Sequence, residues 1–211
     1  MAKRIILVTG VPGSGKSTAL DGLSDGIAGS SVVSMGTELL KRSGAEDRDL
    51  LRKGDDADQL ATRLRSEILR ELVDSDDDVV IIDTHAIVKT TGGYIQGFTD
   101  SDLDILRGKV VAVVCVHADP AEIKRRRDAD DGRRRDSETE VDIGLQQDAS
   151  ESTSARIAGS LGAALYTIDT SSTTKEEAQA LMVETIRKAL SSAARRNPAV
   201  TQSRSPISTA I

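Results

Sequence analysis

The chain has 211 residues, a net charge of −6, one cysteine, and two tyrosines and one phenylalanine as its only aromatic residues. The acidic charge and the scarcity of aromatic side chains argue against a nucleic-acid surface, which needs cations and stacking platforms. One cysteine excludes an internal disulfide framework, and no apolar run reaches the ~18 residues of a membrane span, so we expect a cytoplasmic protein without membrane contact.

Short apolar runs alternate with helical patterns along the chain. The apolar runs predict strands at 4–9, 31–35, 79–82, 109–116 and 164–168. Apolar residues at helical spacing predict helices at 17–27, 36–42, 57–73, 120–127, 138–161 and 175–194. This alternation predicts an α/β fold, a five-stranded parallel sheet with helices on both faces. The tail at 197–211, rich in Ser, Thr and Pro, is predicted to be disordered, which leaves one domain at 1–196.

A glycine-rich segment follows the first predicted strand. Gly10–Ser17 fits the phosphate-loop pattern G-x-x-x-x-G-K-[ST], with a strand before it and a helix after it. Glycines let consecutive backbone N–H groups face phosphate oxygens, Lys16 reaches the β- and γ-phosphates, and the Ser17 hydroxyl binds Mg²⁺. The predicted ATP-binding residues are Gly10, Val11, Pro12, Gly13, Ser14, Gly15, Lys16, Ser17 and Thr18.

Asp83 ends the third predicted strand. A carboxylate at the end of a strand near a phosphate loop commonly faces the magnesium ion. An aspartate there is also an ordinary turn residue. Together with the phosphate loop, Asp83 is predicted to share the metal with Ser17 and to act in catalysis.

Two arginine triplets, at 125–127 and 133–135, bracket a short Asp/Gly segment. One interpretation is a solvated helix face. The other is a mobile lid at about 126–138, because guanidinium groups bind phosphate oxygens and a closing lid excludes water. The candidates for catalysis are Arg127, Arg134 and Arg135, although the pattern does not decide which arginines touch phosphate.

Five further segments carry a family resemblance: VTGVPGSGKST at 8–18, MGTEL at 35–39, EDRDLLRK at 46–53, IDTHAIVKT at 82–90 and GYIQG at 93–97. In order and spacing they resemble the archaeal type of adenylate kinase, from about residue 4 to residue 190. The phosphate loop is shared by many kinases, whereas the D-T-H…K-T…G-Y-x-x-G stretch is much more specific.

The resemblance implies reversible phosphoryl transfer from ATP to AMP with Mg²⁺, and small AMP-binding and lid lobes around a phosphate-loop kinase core. It puts the AMP-binding lobe at about 36–75, with Gly36 and Thr37 at the AMP pocket and Arg48 or Arg52 near its phosphate. It also implies that Asp83, Thr84, His85 and Lys89 lie between the two nucleotides, and that the chain forms a homotrimer.

The chain departs from the family at two points. Lys16 stands where many archaeal members have threonine, and the stretch 146–154 lacks an expected Asn-Arg pair, for which Arg156 is the candidate substitute. Two other functions stay open at this stage. One is a kinase for another nucleoside monophosphate or a small metabolite, and the other is a nucleotide-gated assembly factor.

Overall fold

The computed structural model describes residues 3–44, 55–90, 93–129 and 138–196. The predictions that concern Arg48, Arg52, Arg134, Arg135 and the tail at 197–211 lie outside these residues.

Seven strands and eight helices make up the described part of the chain. The strands are β1 (Arg4–Thr9), β2 (Ser30–Ser34), β3 (Val79–Asp83), β4 (Ile87–Thr90), β5 (Gly93–Gln96), β6 (Val110–His117) and β7 (Ala164–Asp169). The helices are α1 (Lys16–Leu20), α2 (Leu23–Gly26), α3 (Met35–Ser43), α4 (Asp55–Asp74), α5 (Asp100–Leu106), α6 (Pro120–Asp128), α7 (Glu140–Leu161) and α8 (Lys175–Arg196).

The main sheet has five parallel strands in the order β2-β3-β1-β6-β7. Strand β1 lies at the centre, with one neighbour from the first half of the chain and one from the second. Ligands of open parallel sheets bind beyond the carboxyl ends of the strands, where the strand order changes direction. The loop after β1 therefore occupies the place where a ligand is expected.

Helices cover both faces of this sheet. In β1 the side chains alternate, so that Ile5 and Leu7 pack on one face and Ile6 and Val8 on the other. The first face is covered by apolar residues of α4, α5 and α7, and the second by those of α1, α2 and α8. Each face buries its own apolar cluster, as the near-continuous apolar strands predict.

The five predicted strands are confirmed within one or two residues at their ends. The single helix predicted at 17–27 is wrong, because extended backbone at Asp21 ends α1 before α2 begins at Leu23. The antiparallel hairpin β4–β5 and the helix α5 were not predicted. Within the described ranges, no helix has the length and apolar character to cross a membrane.

Candidate nucleotide-binding site

A cleft of about 1030 Å³ opens at the carboxyl ends of the central strands. Its lining includes most of the predicted site residues: Val11, Pro12, Gly13, Gly15, Lys16, Ser17, Thr18, Gly36, Thr37, Asp83, Thr84, His85 and Arg127. The phosphate loop forms one side of the cleft. Residues of α3, α4 and the β4–β5 hairpin form the other side, which we call the acceptor side.

Three consecutive carbonyl groups of the phosphate loop accept hydrogen bonds from outside the loop. The Pro12 oxygen accepts from Arg127 Nε at 2.9 Å and the Gly13 oxygen from Arg126 Nη1 at 3.3 Å. The Ser14 oxygen accepts from Thr170 Oγ1 at 2.7 Å. These bonds fix the orientation of the loop's peptide groups. The loop is thus held in shape by residues of α6 and by the residue that follows β7.

Gly15 shows why the loop needs glycine. Its φ of 80° lies in the left-handed region, where side chains are strained. A Cβ atom there would also lie 3.0 Å from Thr170 Oγ1 and 3.2 Å from Arg126 Nη1. Gly10 and Ser14 do not line the cleft. Ser14 is buried, and among the described residues its Oγ is the one buried side-chain nitrogen or oxygen atom without a hydrogen-bond partner.

Lys16 and Asp83 form an ion pair on the floor of the cleft. Lys16 Nζ donates to Asp83 Oδ1, and the two side chains are only 8% and 14% exposed. The pair joins the first residue of α1 to the last residue of β3. Ser17, the next residue of α1, lines the same cleft.

His85 ties the acceptor side to the phosphate loop. Its Nδ1 lies 2.8 Å from the Gly10 carbonyl oxygen, and because a carbonyl only accepts, Nδ1 donates. The hairpin closes beneath it, where the Gly97 N–H donates to the Ala86 oxygen at 2.7 Å. A side chain at Gly97 would overlap the His85 carbonyl group. This close approach fixes the backbone on either side of the hairpin.

Two predicted site residues form ion pairs with Glu138. Arg127 lies in α6, and its Nη1 donates to Glu138 Oε2 at 2.5 Å and its Nη2 to Gln146 Oε1 at 3.1 Å. Burial lowers the pKa of Arg127, and this outweighs the charge of Glu138 and its hydrogen bond, which raise the pKa. Lys89 does not line the cleft, because its Nζ donates to Glu138 Oε1 at 2.6 Å, a bond that raises the pKa of Lys89.

Other residues of the site were missed by sequence reasoning. Arg126 binds the Thr170 carbonyl oxygen at 2.7 Å in addition to the loop, and Thr170 is almost fully buried. Arg65 of α4 lines the acceptor side, although an arginine in an amphipathic helix normally indicates a solvated face. Thr170 lies two residues beyond the strand predicted at 164–168, which is the one signal that could have identified it.

The comparisons with known proteins fit this geometry. A family model described as AAA domain matches residues 9–144. An adenylate kinase from Pyrobaculum aerophilum is 35% identical over 148 residues, which cover 68% of this chain and 73% of the relative. An adenylate kinase from Methanococcus aeolicus is 34% identical over 152 residues, covering 68% and 77%. The chain belongs to the adenylate kinase family.

Solved structures of other kinases share the fold of this chain at low sequence identity. Shikimate kinase from Acinetobacter baumannii aligns with a TM-score of 0.62 and 17% identity over 90% of this chain and 94% of the other. Thymidylate kinase from Candida albicans aligns with a TM-score of 0.53 and 18% identity, over 89% and 92%. At these identities the likeness concerns the fold alone.

Proposed function

We propose that the kinase transfers the γ-phosphoryl group of MgATP reversibly to AMP and forms two molecules of ADP. The observation that supports this most is the cleft itself. In a member of the adenylate kinase family, one cleft joins the phosphate loop to an acceptor side that includes Gly36 and Thr37, and Thr84 and His85 line the same cleft.

The proposed chemistry is an in-line displacement. An oxygen of the AMP phosphate attacks the γ-phosphorus of ATP while the bond to the β,γ-bridging oxygen breaks, and that oxygen leaves with ADP. Lys16 holds β- and γ-phosphate oxygens and stabilises the charge that develops on them. The braced loop directs its N–H groups toward the phosphates, and little reorganisation is needed during the reaction.

Ser17 and Asp83 fit a magnesium ion by their chemistry. Both line the cleft, and both offer the oxygen ligands that Mg²⁺ prefers. When bound, the ion neutralises charge on the phosphate oxygens. The homotrimer, the lid lobe and the cytoplasmic location stay predictions.

The test mixes the protein and MgATP with AMP, GMP, CMP or UMP and measures the diphosphates by chromatography. We expect ADP from AMP at the highest kcat/KM. Lys16→Ala is expected to keep the fold and to lower kcat by about a thousandfold, because it removes a transition-state contact. Lys41→Met is the matched control, since Lys41 is exposed and pairs with Glu38 outside the cleft.

Each contrary result has a distinct meaning. Absence of ADP with AMP, together with another diphosphate, would identify a kinase for a different acceptor. Slow release of ADP and inorganic phosphate from ATP, at a rate that no nucleoside monophosphate changes and with no acceptor phosphorylated, would favour the nucleotide-gated assembly factor. Wild-type turnover in Lys16→Ala would contradict the mechanism.

A further inference from the structure

The acceptor side of the cleft contains a buried cation that the proposed mechanism does not use. Among the described residues, the lysines and arginines that line the cleft include four on the side of the phosphate loop and α1: Lys16, Arg126, Arg127 and Lys175. Arg65 is the remaining one. It projects from α4, and only 11% of its side chain is exposed.

Asp102 holds one edge of the Arg65 guanidinium. Arg65 Nε donates to Asp102 Oδ2 at 2.8 Å, and Asp102 is fully buried. Asp102 also accepts from Ser66 Oγ at 2.6 Å and from the Thr99 N–H at 2.9 Å, where it completes the capping box of α5. Burial alone raises the pKa of Asp102, but the Ser66 bond and the Arg65 charge outweigh it and lower the pKa. The carboxylate is therefore a fixed anchor.

The other edge of the Arg65 guanidinium carries N–H groups that the described residues do not fully engage. A guanidinium carries five N–H groups. Arg65 Nη2 makes one long bond of 3.4 Å to Thr62 Oγ1, and Nη1 donates to no residue in the described part of the chain. Because Arg65 lines the cleft and its Nε edge is held by Asp102, its terminal nitrogens are positioned donors on the acceptor side.

The surroundings of these donors favour a base over a phosphate. Asp102 cancels the charge of Arg65, and a phosphate dianion beside it would also face a buried carboxylate. A ring nitrogen is a neutral acceptor and meets no such repulsion. The same side of the cleft is lined by Leu39, Val88 and Ile95, whose apolar surfaces suit the faces of a base.

We propose that Arg65, held by Asp102, donates a hydrogen bond to a ring nitrogen of the acceptor's purine base and so determines which nucleotide is accepted. This proposal rests on the proposed function and names a specificity-determining residue for it.

The test compares AMP with its 1-deaza, 3-deaza and 7-deaza analogues, each of which lacks one ring nitrogen. Binding by calorimetry and kcat/KM are measured for the wild type and for Arg65→Met. In the wild type, one analogue is expected to lose about ten- to a hundredfold in affinity, the effect of a hydrogen bond to a charged group. In Arg65→Met, AMP loses the same factor and that analogue binds like AMP. A purely structural role of Arg65 would not produce this coupling.

Two further variants distinguish a loss of the Arg65 contact from misfolding of Arg65→Met. Arg65→Met leaves Asp102 buried without its cation, so the double variant Arg65→Met/Asp102→Asn removes both charges while Asn can still accept from Thr99. It is expected to retain the loss of discrimination. Arg42→Met is the matched control, because Arg42 of α3 pairs with Glu71 of α4, the helix that carries Arg65, but does not line this cleft.

The outcomes separate the inference from the proposed function. If the analogues lose affinity equally in the wild type and in Arg65→Met, the inference is overturned. An equal loss for AMP, CMP and UMP in Arg65→Met overturns it as well, because it indicates a phosphate contact. Absence of ADP formation by the wild type contradicts the proposed function, while the calorimetric comparison still decides the role of Arg65.

Discussion

Replacing Arg127 with methionine separates two roles that an arginine beside a phosphate loop could have. In the structure the side chain is 4% exposed and binds the Pro12 carbonyl, Glu138 and Gln146. Methionine fills part of the space but donates nothing. Glu138 keeps its bond to Lys89, whereas the Pro12 carbonyl, Glu138 Oε2 and Gln146 Oε1 each lose the bond from Arg127.

The expected loss of stability follows from these contacts. Removing one partner of a buried ion pair typically costs about 3–5 kcal/mol, and because Glu138 retains Lys89 we take the lower end, about 3 kcal/mol. In a chain of this size each kcal/mol lowers the unfolding temperature by roughly 2–4 °C, so we expect a decrease of about 6–12 °C. Turnover is expected to fall too, because the loop loses one of its three anchors.

Thermal unfolding followed by circular dichroism measures the decrease, and kcat is measured well below the transition. Arg125→Met is the matched control. Arg125 lies two residues earlier in α6, is 71% exposed and pairs with Glu122 at the surface, so its variant should unfold within about 2 °C of the wild type. If Arg127→Met unfolds like this control and yet loses about a thousandfold in kcat, Arg127 binds the transferred phosphate directly and its role as a brace is refuted.

Two further predictions concern stability. The folded-state pKa of Asp102 is lowered, so its stabilisation is complete above the unfolded pKa of about 4 and is lost as the pH falls through the lower folded value. Urea unfolding of the wild type and Asp102→Asn should therefore differ most at pH 7, and the difference should shrink as the pH falls through the folded-state pKa; a constant difference would exclude this origin. Gly97→Ala should cost at least about 2 kcal/mol through its overlap with the His85 carbonyl, measured by the same urea titration. Gly159→Ala, inside α7 with no atom within 4 Å of the new methyl group, should instead gain about 0.5–1 kcal/mol, and equal effects would contradict the argument.

The parts of the fold that the sequence predicts are those where burial leaves a local pattern. The three central strands β3, β1 and β6 are apolar runs, because helices cover both faces of the sheet there. The β4–β5 hairpin leaves no such pattern, since β5 is exposed throughout. Helix α5 is short and acidic, but Thr99 and Asp102 have the capping-box spacing that could have identified its start.

Part of the candidate site was likewise predictable from the sequence, and part was not. The phosphate loop and Asp83 were predictable, because their chemistry fixes residue types at fixed positions. The role of a residue within an arginine run was not, since consecutive helical residues face directions about 100° apart. Arg125, Arg126 and Arg127 are 71%, 24% and 4% exposed, and only the packing of α6 decides which one turns inward. Arg65 was missed because its partner Asp102 is distant in sequence.

The bracing of the phosphate loop has a consequence for the thermodynamics of each catalytic cycle. Pro12, Gly13 and Ser14 have their carbonyl groups bound to α6 and to Thr170, so the loop gives up its conformational freedom once, when the chain folds. A loop that ordered only around its ligand would lose that entropy at every encounter and weaken nucleotide affinity accordingly. In this kinase the entropy of ordering the loop is lost when the chain folds. Nucleotide binding therefore does not have to offset that loss.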